Sequence, residues 1–557
     1  MLLTLSGDRA LNGQLVDPRS GILFGHNPKR RGAAHTTPRH PAATKGSAKP
    51  HPAAASEKPA PAAPRITKQD VGALFALVAT FGVIYGLTLF TGPDPFGDRT
   101  KFMFLGKILG ISHPTGFPLY MLLTHLVADL PVGALAVREN AFSAALSIAA
   151  LCCVYVIARA LSVGTPVAFC AAVLLGISPT FWRQAIVAEV YALHALLVAG
   201  ICLALILWQQ RPTRRSPLYA ALLLLALSAA NHPTSIAMIP PVLYMLVRTD
   251  RKVLLDWKVV TAAGVFLALS LSTYGYLLWR THVGGPHLEF HVGNLRELVD
   301  YMTGSRYRSH DFFAYSTGQV LFSQIPLLGK TIWQELGIGL ILAGVGGFVL
   351  RPRSVRNYLV LVSVSFLVLL ANCTFRKSEY LIPVCIPLVV LVAVGAAHLG
   401  GTTRRRDVVG AVLILICIAV TASSGLALVR RDRGGAKEFD QELLGVLDRL
   451  DDNAFLMLRG YRDEYGEFEG LSYYVWGEGR GGRDVFVSTY QPPATIYRYL
   501  VHGVPFVDPV SSRTIPPGIR MFASLPSYCR AIAQSGIACR QDGPGLYELV
   551  RSSTTPP

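Results

Sequence analysis

The fold class this sequence predicts is a polytopic α-helical membrane protein with about eleven transmembrane helices and a C-terminal α/β extracytoplasmic domain. The membrane part of that expectation rests on three observations. Of 557 residues, 51% are hydrophobic and only 15% charged, and the mean hydropathy is +0.41. Many windows of roughly 17–25 residues are nearly free of charge, the length that crosses a bilayer as helix. The basic residues gather in short clusters between those windows. The strict alternation of a membrane β-barrel is missing.

The elements follow in order. Residues 1–66 are rich in Pro, Ala, Lys, Arg and His and lack the apolar content for a core, so a disordered basic cytoplasmic tail is expected. No short apolar stretch follows its basic residues, which argues against a signal peptide. Apolar spans are expected near 71–91, 140–160, 165–181, 186–207, 217–231, 233–248, 257–279, 335–350, 356–372, 380–397 and 407–428. They make up a transmembrane domain over 67–429, with outer loops at 92–139 and 280–334. Segment 430–557 alternates β-rich runs (AFLMLRG, DVFVSTY, GLYELV) with helical patterns, in α/β style. No glycine-rich phosphate fingerprint follows a strand there.

The net charge of +18 does not indicate nucleic acid, because its clusters obey the positive-inside rule. With a cytoplasmic N-terminus, Arg159, Arg211–Arg215, Arg248–Lys252, Arg351–Arg356 and Thr402–Asp407 fall on the inner side. The outer side receives loop 92–139, the Phe181–Tyr191 and Asn231–Thr234 turns, loop 280–334, the Phe375–Tyr380 turn and the C-terminal domain. Segment 100–128 reads as an amphipathic interfacial helix followed by a second interfacial or re-entrant one. Among nine cysteines, Cys152, Cys153, Cys170, Cys202 and Cys417 lie in apolar runs and act as small hydrophobes. Cys529 and Cys539 can pair if their domain faces an oxidising compartment.

Several outer-side residues are candidates for chemistry. Asp94 and Asp98 sit in a Gly/Pro-containing loop. Either could be a general base or a ligand to a divalent cation bridging a phosphate, and Asp98 could equally be the N-cap of the next helix. His113 opens a His-Pro-Thr-Gly turn and could carry a proton or bind phosphate, or be an ordinary turn residue. Glu189 and Tyr191 begin an apolar run, where an acid is costly unless paired or hydrated; Trp182 beside them is an anchor or a site residue. Asn231 and His232 break two apolar runs with almost no loop, which suits a cavity lining or a plain helical corner. Arg306, Tyr307 and Arg308, with Arg376 and Lys377, place positive charge on the outer side, suited to phosphate or to lipid headgroups.

In this order, GDRTKF with LGISHPTGFPLY, RENAFSA (Arg138–Ala144), SPTFWRQAIVAEVYALHAL (Ser178–Leu196) and SAANHPT (Ser228–Thr234) resemble the protein O-mannosyltransferase-like GT-C glycosyltransferases (GT117 type). YMTGSRYR and Tyr380-Leu381-Ile382-Pro383 match later parts of that pattern, so the resemblance covers roughly 70–400. It implies a GT-C fold and inverting transfer of a sugar, with mannose the candidate, from a polyprenyl-phosphate donor. The acceptor would be an extracytoplasmic protein or glycan, protein O-glycosylation being the leading case. The setting implied is a bacterial inner or plasma membrane, with membrane lipid as a partner and no nucleic acid. Asp98 matches the loop aspartate that acts as base. His113, Arg138, Trp182, Glu189, Tyr191, Asn231, His232, Arg306 and Tyr307 are the substrate-binding candidates, with Arg138 and Arg306 for the carrier phosphate. A divalent cation is the one cofactor considered. Lys101 departs from the pattern, which carries a glutamate there. The competing readings are a transporter or flippase for a lipid-linked intermediate, which would show internal repeats, and a non-catalytic membrane scaffold.

Overall fold

The structure, a computed structural model, describes residues 66–552 except 97, 306–314, 375–377, 402–404, 451–452, 459–466, 481–483, 511–512, 525 and 544–545. Nearly all of the expected N-terminal tail, and Arg306, Tyr307, Arg308, Arg376 and Lys377, lie outside the described residues.

Helix α1 (Lys68–Thr88) begins at a capping box, in which Thr67 and Asp70 satisfy each other's backbone N–H. Short helices α2 (Arg99–Ile108) and α3 (Pro118–Ala128) follow in the first loop. Next come α4 (Leu135–Ala160), α5 (Thr165–Gly176), α6 (Pro179–Ala185) and α7 (Val190–Gln210). After these lie α8 (Ser216–Ala229), α9 (Ile239–Asp250), α10 (Trp257–Ser272), α11 (Gly275–Val283) and α12 (Leu295–Met302). The bundle closes with α13 (Thr317–Leu336), α14 (Gly339–Val349), α15 (Arg353–Ala371), α16 (Ile382–Leu399) and α17 (Arg405–Leu447).

Seven helical segments among the described residues are long and apolar enough to cross a membrane, and nine if the two bent pairs α5/α6 (74°) and α13/α14 (100°) each count as one span. The expected number of eleven is not reached by that measure. Two expected spans fall on α8, 14 residues, and α9, 12 residues, both shorter than a full crossing.

Side-chain pairs fix which helix ends share a face. The Asp70 carboxylate accepts from Tyr155 Oη and Arg159 Nε, each at 2.6 Å, tying the start of α1 to the end of α4. Thr165 at the start of α5 reaches the same carboxylate. Asp407 at the start of α17 lies against Gly164, leaving no room for a side chain there. The opposite ends meet likewise: Phe90, just past α1, donates its N–H to Ile186 O and accepts from Asn140 Nδ2. Arg159 and Asp407 therefore share one face, and the ends of α1 and α6 the other. At the tightest helix crossing, Gly346 of α14 meets the backbone of α16 at Leu391 and Gly395, an approach that any Cβ would block.

One expectation about the first loop is corrected. Helix α2 does not lie on a bilayer surface, because Arg99 through Gly106 are all buried. It is sandwiched between α3 and the turn Tyr473–Gly477 of the C-terminal domain. Lys107 Nζ donates to Gly477 O at 2.5 Å, and Phe104 packs on Trp476. The alternation of apolar and basic residues in α2 serves a protein interface.

Helix α17 runs for 43 residues without a break. The expected boundary at 430 therefore falls within a helix, and the first strand of the sheet starts at Asn453. The strands are β1 (Asn453–Leu458), β2 (Asp484–Thr489), β3 (Phe506–Val507), β4 (Thr514–Ile515), β5 (Arg520–Ala523), β6 (Ile537–Gly543) and β7 (Leu546–Arg551). A five-stranded sheet has the order β2-β1-β5-β7-β6. Strand β1 is parallel to β2 and β5, and β7 is antiparallel to β5 and β6. β3 and β4 form a small antiparallel pair apart from it. Cys529 and Cys539 form a disulfide. Helix α18 (Glu467–Ser472) continues into the Tyr473–Gly477 turn and faces the first loop.

Candidate functional site

The two loop aspartates have separate environments. Asp94 is buried, and its Oδ1 accepts from Phe96 N at 2.8 Å, bending its own loop. Arg99 Nη1 lies 3.7 Å from it and Arg99 Nη2 3.7 Å from Asp432 of α17. Asp432 in turn accepts from Arg183 Nε of α6 at 2.7 Å, and Arg183 reaches Glu379 at 3.5 Å. This network pins the loop to α6 and to the outer part of α17. Burial pushes the Asp94 carboxyl up, against the pull of Arg99.

Asp98 is the N-cap residue of α2, yet its side chain makes no capping hydrogen bond. It turns instead to Lys101, whose Nζ donates to Asp98 Oδ1 at 2.8 Å. The same ammonium donates to Glu289 Oε1 at 2.9 Å and meets His113 Nδ1 at 3.3 Å. His113 Nε2 stands 3.9 Å from Asp98 Oδ2. Lys101 is 3% exposed, whereas Asp98 and His113 are 30% and 28% exposed. The carboxylate and the imidazole thus share an open side over a buried cation.

Backbone pairing brings Glu289 there. Ile111 donates its N–H to His287 O at 3.1 Å, and Glu289 donates its own to Ile111 O at 3.0 Å. Arg280 Nε and Nη2 donate to Leu109 O and Ile108 O, closing the end of α2. Tyr301 Oη donates to Ser112 O and lies against Gly116, where φ is +80° and a Cβ would meet the ring. The glycine of the His-Pro-Thr-Gly turn is thus required by both backbone and space. The C-terminal domain adds Glu469, whose charge acts on Lys101.

The charges follow from this packing. Burial alone would lower the Lys101 ammonium, but Asp98, Glu289 and Glu469 together hold it above the ordinary lysine value. Burial alone would raise Glu289, but Lys101 and His287 hold its carboxyl down at about 2. Glu469 goes the other way: burial raises it to about 7, against the pull of Lys101.

A second set lies across an aromatic bridge. Phe117 is 5.3 Å from the His113 ring and stacks on His232 at 5.8 Å. Tyr191, Tyr380 and His194 surround His232 at 5.5, 5.3 and 5.1 Å. Thr234 N donates to His232 Nδ1 at 3.3 Å, so that nitrogen is an acceptor. The Thr234 hydroxyl, 2.7 Å from the same nitrogen, therefore donates to it and accepts from His194 Nε2 at 3.2 Å. Both ring orientations are fixed by one threonine.

The remaining predicted residues divide. Glu189 is the N-cap residue of α7 without a capping bond, close enough to Tyr120 and Tyr191 for its charge to act on both. Asn231 Nδ2 donates to Val190 O at 3.3 Å, locking the corner beside His232. Trp182 Nε1 donates to Thr88 Oγ1 at 3.0 Å, bracing α6 on α1. Arg138 uses its guanidinium on the backbone oxygens of Ala128, Val132 and Gly133, holding the α3–α4 turn. A phosphate role for Arg138 is at odds with that geometry.

Glu289, Glu469, Phe117 and Tyr380 were not among the predicted site residues. For Glu289 a signal existed: a lysine in an apolar helix segment needs a carboxylate partner. Among the described residues no group of three or more His, Cys, Asp or Glu side chains is spaced to hold a metal ion. The carboxylates nearest Asp98 surround an ammonium instead.

Residues 98–255 match the family described as the Protein O-mannosyl-transferase TMEM260 N-terminal domain. Over 137 residues the chain is 32% identical to Protein O-mannosyl-transferase TMEM260 of Mus musculus, a stretch that is 24% of this chain and 19% of that protein. The match thus spans about a fifth of the relative's length. In three dimensions the chain is similar to ArnT from Cupriavidus metallidurans in the apo state, with a TM-score of 0.57 at 14% identity over 86% of this chain and 98% of that one. ArnT bound to undecaprenyl phosphate gives 0.55 at 15% identity over 87% and 99%. The resemblance read from the sequence is borne out over residues 98–255, and the overall fold, a bundle of apolar membrane-length helices with a C-terminal sheet domain, is similar to that of ArnT.

Proposed function

We propose that this protein is a membrane glycosyltransferase that takes a sugar from a polyprenyl-phosphate carrier and passes it, with inversion, to an acceptor hydroxyl outside the cytoplasm. The observation that carries the reading is Asp98: open to the outside, not used as a cap, set by Lys101 beside His113. Asp98 takes the proton of the acceptor hydroxyl. The acceptor oxygen bonds to the anomeric carbon while the bond from that carbon to the phosphate oxygen breaks, and the polyprenyl phosphate leaves with the electron pair. His113 donates from Nε2 to the sugar or the departing phosphate. His232, Tyr191 and Tyr380 form an aromatic wall suited to a sugar face.

The C-terminal domain belongs on the extracytoplasmic side in this reading. Its disulfide suits an oxidising compartment, and the basic helix ends on the opposite face suit a cytoplasmic one. Mannose as the sugar and a protein as the acceptor follow the relative matched over residues 98–255.

The test is transfer by purified protein from polyprenyl-phosphate sugars to envelope acceptors, read by mass spectrometry, in wild type and Asp98→Asn. Product made by wild type and lost in the variant supports the reading. Product made equally by both refutes the role of Asp98, and donor carried across a vesicle without being consumed refutes the transferase.

A further inference from the structure

The stretch RENAFSA opens α4, and its acid takes no part in the site described above. Glu139 and Ser143, four residues apart, share one face of α4, with Asn140 beside them. Tyr120 of α3 comes to the same place: the charge of Glu139 acts on its hydroxyl, and Ser143 neighbours that hydroxyl. All four residues are fully buried. Among the described residues, Tyr120 Oη, both carboxylate oxygens of Glu139, Asn140 Oδ1 and Ser143 Oγ have no well-formed hydrogen bond. Asn140 Nδ2 is already taken by Phe90 O at 2.8 Å. The adjoining Arg138 spends its terminal N–H groups on the backbone oxygens of Ala128, Val132 and Gly133.

Buried polar atoms nearly always have a partner, and one without is costly. Here such atoms gather from two helices. The oxygens of Glu139 and Asn140 call for donors, and Tyr120 and Ser143 hold only one O–H each. The set is short of donors. A ligand that fits it is small, brings O–H groups of its own, and makes roughly two to four hydrogen bonds at once, which is what buried water does. We propose that Glu139, Asn140, Ser143 and Tyr120 enclose a site for ordered water between α3 and α4. The site lies one ring behind the reactive cluster. Tyr120 meets Phe102 edge-on at 5.8 Å, and Phe102 lies 5.9 Å from Lys101 Nζ and 6.5 Å from the His113 ring. The water thus backs the segment that carries Asp98 without touching substrate. It goes beyond the transferase reading and does not depend on it.

The experiment is radiolytic footprinting of full-length protein in lipid nanodiscs, in isotopically labelled water, read by mass spectrometry. X-ray pulses split water where it stands, so a buried ring beside ordered water is oxidised and an equally buried dry one is not. Tyr120 is expected to be labelled several-fold faster than Tyr85 and Tyr358. Those two are just as buried, and their hydroxyls already face Gly176 O at 2.8 Å and Cys202 Sγ at 3.6 Å. Glu139→Gln keeps a hydrogen-bonding side chain of the same size and should keep the Tyr120 label. Glu139→Met/Ser143→Ala makes the site apolar and should bring Tyr120 down to the level of Tyr85. Labelling of Tyr120 no faster than Tyr85 in wild type overturns the proposal, and that comparison needs no variant to fold. An undiminished Tyr120 label in a folded, monodisperse double variant also overturns it, since bulk solvent then reaches the ring. So does a melting temperature that rises with Na⁺ or K⁺ at constant ionic strength in wild type but not in Glu139→Gln, which would put a cation in the place of water. None of these readings requires sugar transfer, so a failure of the transferase reading leaves the water site standing.

Discussion

Asp94 and Asp98 stand four residues apart in one loop and face opposite fates. Asp94 is buried among Arg99, Arg183 and Asp432, and its carboxylate shapes its own loop through Phe96 N. Asp98 keeps about a third of its side chain in the open and pairs with the buried Lys101 at 2.8 Å. The difference lies in the acids' own exposure, since Arg99 and Lys101 are equally buried. Arg99 anchors structure on both sides, whereas Lys101 fixes one oxygen of Asp98 and His113 Nε2 stands 3.9 Å from the other.

The largest effect expected from this contrast is on rate. Asp98→Asn keeps the shape and the contact with Lys101 but removes the base, so transfer should fall by about 10²–10⁴-fold in molecules that remain folded, with some loss of melting temperature from the weakened Lys101 pair. Asp94→Asn should do the reverse, lowering the melting temperature while folded molecules keep their turnover. A rate loss in Asp94→Asn larger than that in Asp98→Asn would reverse the assignment.

Next in size is the cost of opening the structural network. Asp432→Asn leaves Arg183 and the buried Arg99 without their shared carboxylate. Breaking a buried pair from one side costs about 3–5 kcal/mol, measurable as a drop in the denaturation midpoint in detergent. Replacing Arg99 and Asp432 together should recover little of that loss, because Arg183 and the buried Asp94 then lose these partners.

Part of this could be read from sequence and part could not. Spans such as Val190–Gln210 and Leu135–Ala160 announce themselves by hydropathy. The His-Pro-Thr-Gly turn and Asp98 stood out because they are polar groups at an apolar edge. Asp94 and Asp98 could not be separated, since burial depends on Asp432, far along the chain and delivered by α17. Glu289 was missed because its partner is 188 residues away, and the backbone bridge at Ile111 that aims it has no local signature. The burial of α2 was missed for the same reason: its mixed pattern fits a membrane surface or a protein interface, and only the turn Tyr473–Gly477 decides between them. Arg138 shows the converse, a cation whose guanidinium is engaged by the backbone of the turn Ala128–Gly133, which no local pattern announces.

The two acids of the Lys101 cluster should respond to pH with opposite signs. Glu289 is held at about 2, below the ordinary glutamate value near 4.3, so its contribution is present at neutral pH and is lost as pH falls from about 4 toward 2. Glu469 is raised to about 7, so the folded state binds its proton more tightly than the unfolded one. Stability from Glu469 is therefore greatest below about pH 4 and falls as pH rises through 7. Melting curves between pH 5 and 8 should show that decline, and Glu469→Gln should flatten it. A decline that persists in Glu469→Gln would move its origin elsewhere.

The smallest effect is expected at the edge of the Asp94 network. Glu379 lies 3.5 Å from Arg183 Nη1 and accepts from Gln184 Nε2 at 3.1 Å, but Arg183 keeps its closer bond to Asp432 at 2.7 Å. Glu379→Gln removes a charge whose loss strands nothing, so the cost should stay within about 1 kcal/mol. A double-mutant cycle between Glu379 and Arg183 measures it. If that coupling energy matched the one between Asp432 and Arg183, the network would extend to the Tyr380 wall as one rigid unit, and the structural acid and the site beyond it would no longer be separable.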